Sequence, residues 1–226
     1  MLSPYYEHTR IEEAARLGRH RKVVGGLWEE LGRLQFEHLV ANGLKPASRL
    51  LDVGCGSLRG GIKFVPYLNA GNYFGTDINE PLLDAGYREE ITPLGLANKL
   101  PRSNLVADGS FDFSWCNAPF DFAIAQSLFT HLPIDQLRVC LEKLSAVMTV
   151  GGVFFVTYFE APEGHLISEP YAQDPGGVKT FVDRNPYHYR KADVLECGRD
   201  LPWSATDVGN WGHPRAQKMV HFIKRK

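Results

Sequence analysis

Two glycines and one acid form the first arrangement in this chain able to do chemistry. Gly54 and Gly56, within residues 49–61 (RLLDVGCGSLRGG), let the backbone turn sharply and let a ligand approach where a Cβ would collide. Asp77 lies twenty-one residues beyond Gly56, about where nucleotide-binding units place the carboxylate that accepts hydrogen bonds from ribose hydroxyls. Three elements must hold this pair. The apolar run Leu50, Leu51, Val53 suits a strand buried on both faces of a parallel sheet. Residues 58–68 have helical character until Asn69-Ala70-Gly71 stops them, and a second strand over 72–76 delivers Asp77. Gly-x-Gly by itself marks many tight turns; the downstream acid is what makes it specific.

The motifs carry a family resemblance. Residues 51–56 (LDVGCG), followed by 73–78 (YFGTDI), resemble the first two motifs of class I S-adenosylmethionine-dependent methyltransferases. Residues 120–127 (FDFAIAQS) resemble the family's fourth strand, and 151–156 (GGVFFV) its fifth strand, entered through two glycines. Four motifs in order cover roughly 48–157. The resemblance implies an S-adenosyl-L-methionine cofactor, with S-adenosyl-L-homocysteine as product. Asp77 would take the ribose hydroxyls. Ile78, Asp108 and Gly109 would face the adenine, although Asp108 also fits a turn cap. Asp52 and the backbone at Gly54 and Gly56 would meet the methionine ammonium. Arg59 fits either a pairing with its carboxylate or a solvated surface charge. Gln126, ending the fourth-strand motif, joins the cofactor contacts. The sequence departs from the pattern at Leu58, where the family has a third glycine, and at Arg59, where the dinucleotide fingerprint has one. Both departures argue against a pyrophosphate pressed onto the helix, and so against NAD.

Methyl transfer from a sulfonium is an in-line displacement in which positioning supplies much of the catalysis. A hydroxyl acceptor also needs a base within hydrogen-bond reach. His131, in residues 127–133 (SLFTHLP), stands just beyond the carboxyl end of the fourth strand, the edge where ligands sit in open α/β sheets. A histidine there can also merely brace the loop. His188, between Tyr187 and Tyr189, is the second candidate base, with His165 behind it. His213, before Pro214, suits a structural turn. No His, Asp or Glu pair has ligand spacing, so no metal is expected.

Composition narrows the partners. A chain of 226 residues with 44% hydrophobic and 23% charged residues can build a substantial core. A net charge of −1 offers no general attraction to polyanions, so the expected partner is a small-molecule acceptor and not a nucleic acid. Cys55, Cys116, Cys140 and Cys197 lie far apart, giving neither zinc spacing nor a disulfide framework. No apolar run approaches transmembrane length, and the N-terminus has no signal-like core; no membrane is expected, and a cytoplasmic location is.

The remaining segments complete a Rossmann-like, doubly wound α/β fold. Its seven-stranded sheet is expected to be mostly parallel, with one antiparallel strand near the C-terminus. Residues 1–47 read as a helical cap with helices over 5–17 and 27–41. Ile11, Ala14, Ala15 and Leu17 are expected inward in the first, and Tyr5, Tyr6, His8 and Trp28 are placed to close over a bound cofactor. The methyltransferase domain is expected over 48–226. Within it come helices over 79–90, 134–148 and 191–201 and strands over 104–107, 120–126, 152–159, 205–210 and 217–223. Residues 160–190, rich in proline, glycine and aromatics, are too long for a plain connection and read as a lid. Residues 185–187 (NPY) superficially resemble the Asn-Pro-Pro-Tyr motif of nucleobase amino-methylating enzymes, but that motif belongs at the end of strand four.

The expected activity is therefore methyl transfer to a small-molecule acceptor at a hydroxyl oxygen, with three rivals: N-methylation of a small molecule, methylation of a protein or RNA, and cofactor binding without turnover.

Overall fold

Strand β1, Leu50–Val53, is buried along its whole length, as an apolar run covered on both faces requires. The computed structural model describes residues 7–226, which form two units, 7–110 and 111–226.

In the first unit, helices α1 (His8–Arg16), α2 (His20–Val23) and α3 (Trp28–Ala41) precede β1. Helix α3 matches its expected span and ends where Gly43 turns at φ +98°. In α1, Ile11 and Ala15 are buried as expected, but Leu17 is 48% exposed. The helix stops at Arg16, so the spacing that would turn Leu17 inward is not continued. Helix α4 (Gly61–Tyr67) starts three residues later than expected, because the turn after β1 runs on through Gly60. Strand β2 (Tyr73–Asp77) pairs parallel with β1, Leu50 opposite Tyr73 and Val53 opposite Thr76. Helix α5 (Glu80–Gly86) passes into a π-helical turn over Tyr87–Ile91. Strand β3 (Leu105–Ala107) then pairs parallel with β2 on its other side, bringing Asp77 opposite Ala107.

In the second unit, β4 (Phe120–Ala125) pairs parallel with β5 (Met148–Glu160). Between them α6 (Ile134–Ser145) buries Leu137, Cys140, Leu141 and Leu144, a spacing of three, four and seven that lays one apolar stripe along a helix. Residues 160–190 are ordered by short pairings. Strands β6 (Tyr171–Ala172) and β7 (Lys179–Thr180) form an antiparallel pair. Strand β8 (His188–Tyr189) lies parallel to the end of β5, and Phe181 bridges to Tyr187. Helix α7 (Lys191–Glu196) is followed by β9 (Trp203–Asn210) and β10 (Lys218–Lys224). Strand β10 runs antiparallel to both β5 and β9. Phe154, Phe155, Val156, Tyr158, Met219, Val220 and Phe222 are almost wholly buried. Each such side chain contributes about 1.5–3 kcal/mol.

Seven principal strands, β1–β5, β9 and β10, thus carry a mixed α/β fold that is mostly parallel, with β10 the antiparallel member. This is the Rossmann-like class the residue pattern predicts. Among the described residues no helix is long and apolar enough to cross a membrane.

Candidate functional site

The glycine turn is fastened to β2 by its own backbone. Gly54 and Gly56 adopt φ of +75° and +55°. The N–H groups of Gly54 and Cys55 both donate to Thr76 O, at 2.8 and 2.9 Å. The Gly56 N–H donates to Asp77 Oδ2 at 2.9 Å, and the Asn79 N–H to Oδ1 at 2.9 Å. Asp77 therefore joins the turn after β1 to the start of α5. Asn79 Nδ2 also donates to Oδ1, at 3.4 Å; each carboxylate oxygen has two lone pairs, so Asp77 keeps one acceptor position, on Oδ2, for a ribose hydroxyl. Burial pushes its pKa up, and the Asn79 and Gly56 N–H bonds pull it back. Leu58 takes φ of +69° and is fully buried. The backbone keeps the left-handed geometry of the missing third glycine, at a cost of roughly 1–2 kcal/mol that surrounding packing must offset.

Asp52 is 3% exposed and accepts a bond from the Tyr73 hydroxyl at 2.8 Å. Burial raises its pKa to about 7, against the Tyr73 bond and the Arg59 charge, while the neighbouring Asp77 raises it further. Arg59 is neither a solvated surface charge nor turned outward. It is buried, and its Nη1 donates to Val24 O at 2.8 Å and Gly26 O at 3.1 Å. At the next edge Asp108 accepts from Ser110 N at 3.1 Å and Ser110 Oγ at 2.7 Å, a turn-capping geometry. Gly109 lies against Ile78, whose Cδ1 would be 2.9 Å from a Cβ built there. Ile78 and Gly109 thus form one apolar wall.

These residues suit S-adenosylmethionine by their chemistry: an acid with an acceptor position left on Oδ2, and an apolar wall of Ile78 and Gly109. Of the residues expected to close over it, Trp28 opens α3 and is buried, and His8 opens α1. Tyr5 and Tyr6 lie outside the described residues.

In the second unit Gln126 is 7% exposed. Its Nε2 lies 3.0 Å from Ser127 Oγ, 3.1 Å from His213 Nε2 and 3.4 Å from Gln217 Oε1. Ser127, just past β4, takes φ of +61°, and its N–H donates to Thr157 Oγ1 at 2.7 Å. His213 is 2% exposed and accepts from Arg215 N at 3.1 Å, so it belongs to this polar cluster as well as to its turn.

His131 is half-buried, with Nδ1 2.6 Å from Asn185 Oδ1. A carbonyl oxygen only accepts, so Nδ1 carries the proton and Nε2 is the basic nitrogen. Burial lowers the His131 pKa; the Asn185 bond raises it and the Arg215 charge lowers it further. The imidazole is therefore neutral near neutral pH, the form a base needs. His188 has a different environment. It is fully buried, with Nδ1 2.9 Å from Thr180 Oγ1 and Nε2 3.1 Å from Ile167 O. Both nitrogens are engaged inside residues 160–190, the setting of a histidine that braces a loop and not of one that exchanges protons with a ligand. His165 is 3.0 Å from Glu169 O through Nε2 and packs edge-on to His188. Among the described residues no group of three or more His, Cys, Asp and Glu is arranged to hold a metal.

Three participants carry no sequence signal. Asn185 is 54 residues from His131, and Gln217 is 91 residues from Gln126. Glu90, 5% exposed, binds His20 and Arg21 from 70 and 69 residues away. Only the discounted NPY run passed through one of them.

The chain matches a family model described as a methyltransferase domain over residues 51–154. Solved structures share the fold at low identity. A magnesium protoporphyrin IX methyltransferase from Synechocystis PCC 6803, with bound S-adenosylmethionine, is 13% identical; the match covers 99% of this chain and 85% of that one, with a TM-score of 0.59. An amino pentose methyltransferase from Micromonospora echinaspora is 16% identical over 94% of this chain and 95% of that one, at a TM-score of 0.62. A sugar N-methyltransferase from Streptoalloteichus sp ATCC 53650 is 15% identical over 85% and 86%, at 0.60. Residues 51–154, which hold the glycine turn and its acid, thus match a methyltransferase domain, and the chain shares its fold with solved S-adenosylmethionine-dependent methyltransferases.

Proposed function

We propose that this enzyme methylates a hydroxyl oxygen of a small molecule, with His131 as the general base. The observation that carries the reading is the His131–Asn185 pair: a neutral imidazole with its proton held on Nδ1 and Nε2 basic. Asp77 would bind a ribose hydroxyl, Ile78 and Gly109 would wall the adenine, and Asp52 would face the methionine ammonium. Asp108 and Gln126 stand as further cofactor contacts. Bound S-adenosylmethionine supplies an electrophilic methyl group and a thioether leaving group. As the acceptor oxygen attacks, His131 Nε2 takes the hydroxyl proton, and the Asn185 carbonyl steadies the resulting imidazolium. Residues 160–190 are read as a lid because Asn185, near their end, reaches the base. The brace formed by His188, Thr180 and Ile167 holds that lid in shape, which makes His188 a positioning residue.

N-methylation is the second reading, favoured by the sugar N-methyltransferase among the structural neighbours. The two part at the base. Hydroxyl- and amine-bearing small molecules are screened with methyl-labelled cofactor, and the product is then followed by single-turnover kinetics. In His131→Ala, methyl transfer to a hydroxyl acceptor should fall by about 10²–10⁴-fold at unchanged cofactor affinity. An amine substrate, or wild-type chemistry from the variant on a hydroxyl, rejects the first reading.

A further inference from the structure

Between β9 and β10 the chain makes a tight turn over residues 211–217 (WGHPRAQ). Gly212 and Ala216 take left-handed backbone there, at φ +87° and +59°. Trp211 Nε1 closes the turn by donating to Gln217 O at 3.0 Å. Inside it, the Arg215 N–H donates to His213 Nδ1 at 3.1 Å, and the Ala216 N–H to His213 O at 3.0 Å.

Two other segments of the same unit close on this turn. From the end of β4, Gln126 Nε2 lies 3.1 Å from His213 Nε2, and Ser127 Oγ donates to Gln217 Oε1 at 3.1 Å. These residues begin the loop that carries the base: Thr130 Oγ1 donates back to Ser127 O at 2.6 Å, and the His131 N–H to Leu128 O at 2.9 Å. From residues 160–190, Gly176 sits on Arg215 itself, since a Cβ built at Gly176 would stand 2.8 Å from Arg215 Cα and 3.1 Å from Pro214 O. The same segment reaches His131 farther on, through Asn185. The backbone of Arg215 is thus fixed from two sides, in the turn that abuts the loop of the base. Its side chain is half-buried, and its charge acts on the His131 ring.

The side chains joining these segments are Gln126, Ser127, Asn185, His213 and Gln217, and none is a carboxylate. Asp183 and Arg184 are exposed and pair with each other at 3.4 Å, and Lys179 is exposed. The charge presented beside the base is therefore positive. A cationic acceptor is repelled by a guanidinium, whereas a carboxylate pairs with it through two parallel hydrogen bonds.

We infer that the acceptor is a hydroxy acid, its carboxylate held by Arg215 and its hydroxyl presented to His131. This rests on the methyltransferase reading with His131 as base, and it names the class of acceptor. Arg215 becomes a substrate-binding residue, and His213 and Gly176 position it. The bound carboxylate also offsets the charge that holds the His131 pKa down, so the occupied site has a stronger base than the empty one.

The test uses matched pairs of aliphatic and phenolic hydroxy acids and their carboxamides, offered with methyl-labelled S-adenosylmethionine. Wild-type protein should label acids in preference to the paired carboxamides. Arg215→Gln should reduce that preference in kcat/KM about ten- to a hundredfold, chiefly through the KM of the acid. Arg215→Lys, which keeps the charge and loses the planar fork, should retain part of it. A readout that needs no acceptor is the His131 ring-proton resonance followed against pH. Its midpoint should rise in Arg215→Gln, because a cation that disfavours the imidazolium is gone. Carboxamides labelled as readily as acids, no label in any acid, label recovered as base-labile methyl esters of the carboxylate, or an unmoved His131 midpoint would overturn the inference. Acids methylated at an amine would instead reject the oxygen reading on which it rests.

Discussion

The two units differ in how their functional groups are held. In residues 7–110 the glycine turn and Asp77 are held through main-chain N–H groups: Gly54, Cys55 and Gly56 donate to Thr76 O and Asp77, all within one strand–turn–helix–strand run. Residues 111–226 hold theirs with side chains from distant loops: Asn185 for His131, Gln217 and His213 for Gln126. Backbone bonds in a short run survive most substitutions, because any residue supplies an N–H. A side-chain pair fails when either member is lost. The first arrangement suits a ligand that never changes, and the second suits an acceptor that varies between relatives on a common fold.

The largest expected effect lies in the second unit. His131→Ala should lower turnover by about 10²–10⁴-fold, and the acid limb of the wild-type rate profile should fall below the ordinary histidine value of 6.5, because burial lowers the His131 pKa. An acid limb at or above 6.5 would assign the base elsewhere.

Asp52 sharpens the comparison through stability. Its pKa rises from an ordinary 3.8 to about 7 in the folded chain, so the native state holds a proton that the unfolded state releases. Stability from this group is full below about pH 4 and is lost as pH climbs to about 7. The loss is on the order of 4 kcal/mol at 1.36 kcal/mol per tenfold. Asp52→Asn, which retains an acceptor for Tyr73, should flatten the decline in chemical-denaturation free energy over that range. An unaltered slope would mean Asp52 is ionised in the fold.

Asp77→Ala tests the main-chain side. Hydrogen bonds to a charged group contribute about 1.5–3 kcal/mol, so cofactor affinity should drop roughly ten- to a hundredfold. Asn185→Ala comes last. It frees the His131 tautomer and removes the bond that raises its pKa, so turnover should fall about tenfold with the acid limb moving lower still. A limb that moves up would contradict the assigned geometry.

The same contrast explains what the sequence disclosed. β1, the glycine turn, β2 and Asp77 are legible because periodicity, glycine placement and one spacing are all local. Helix α6 is legible for the same reason, with its stripe of Leu137, Cys140, Leu141 and Leu144. The charge of Arg59 points in sequence to solvent or ligand, and the sequence does not show that its Nη1 donates to the carbonyls of Val24 and Gly26, more than thirty residues upstream. His188 looked poised between two tyrosines, yet its bonds to Thr180 and Ile167 form only once residues 160–190 fold back on themselves. The π-helical turn at Tyr87–Ile91 has no periodic signature, and it presents Glu90 to His20 and Arg21. Such pairings follow from tertiary packing, which no local pattern encodes.

The most direct test of the division of labour is one calorimetric comparison: S-adenosylhomocysteine titrated into wild type, Asp77→Ala and His131→Ala under identical conditions. The account predicts that Asp77→Ala weakens binding about ten- to a hundredfold and that His131→Ala binds as the wild type does. Wild-type affinity in Asp77→Ala, together with lost affinity in His131→Ala, would contradict it.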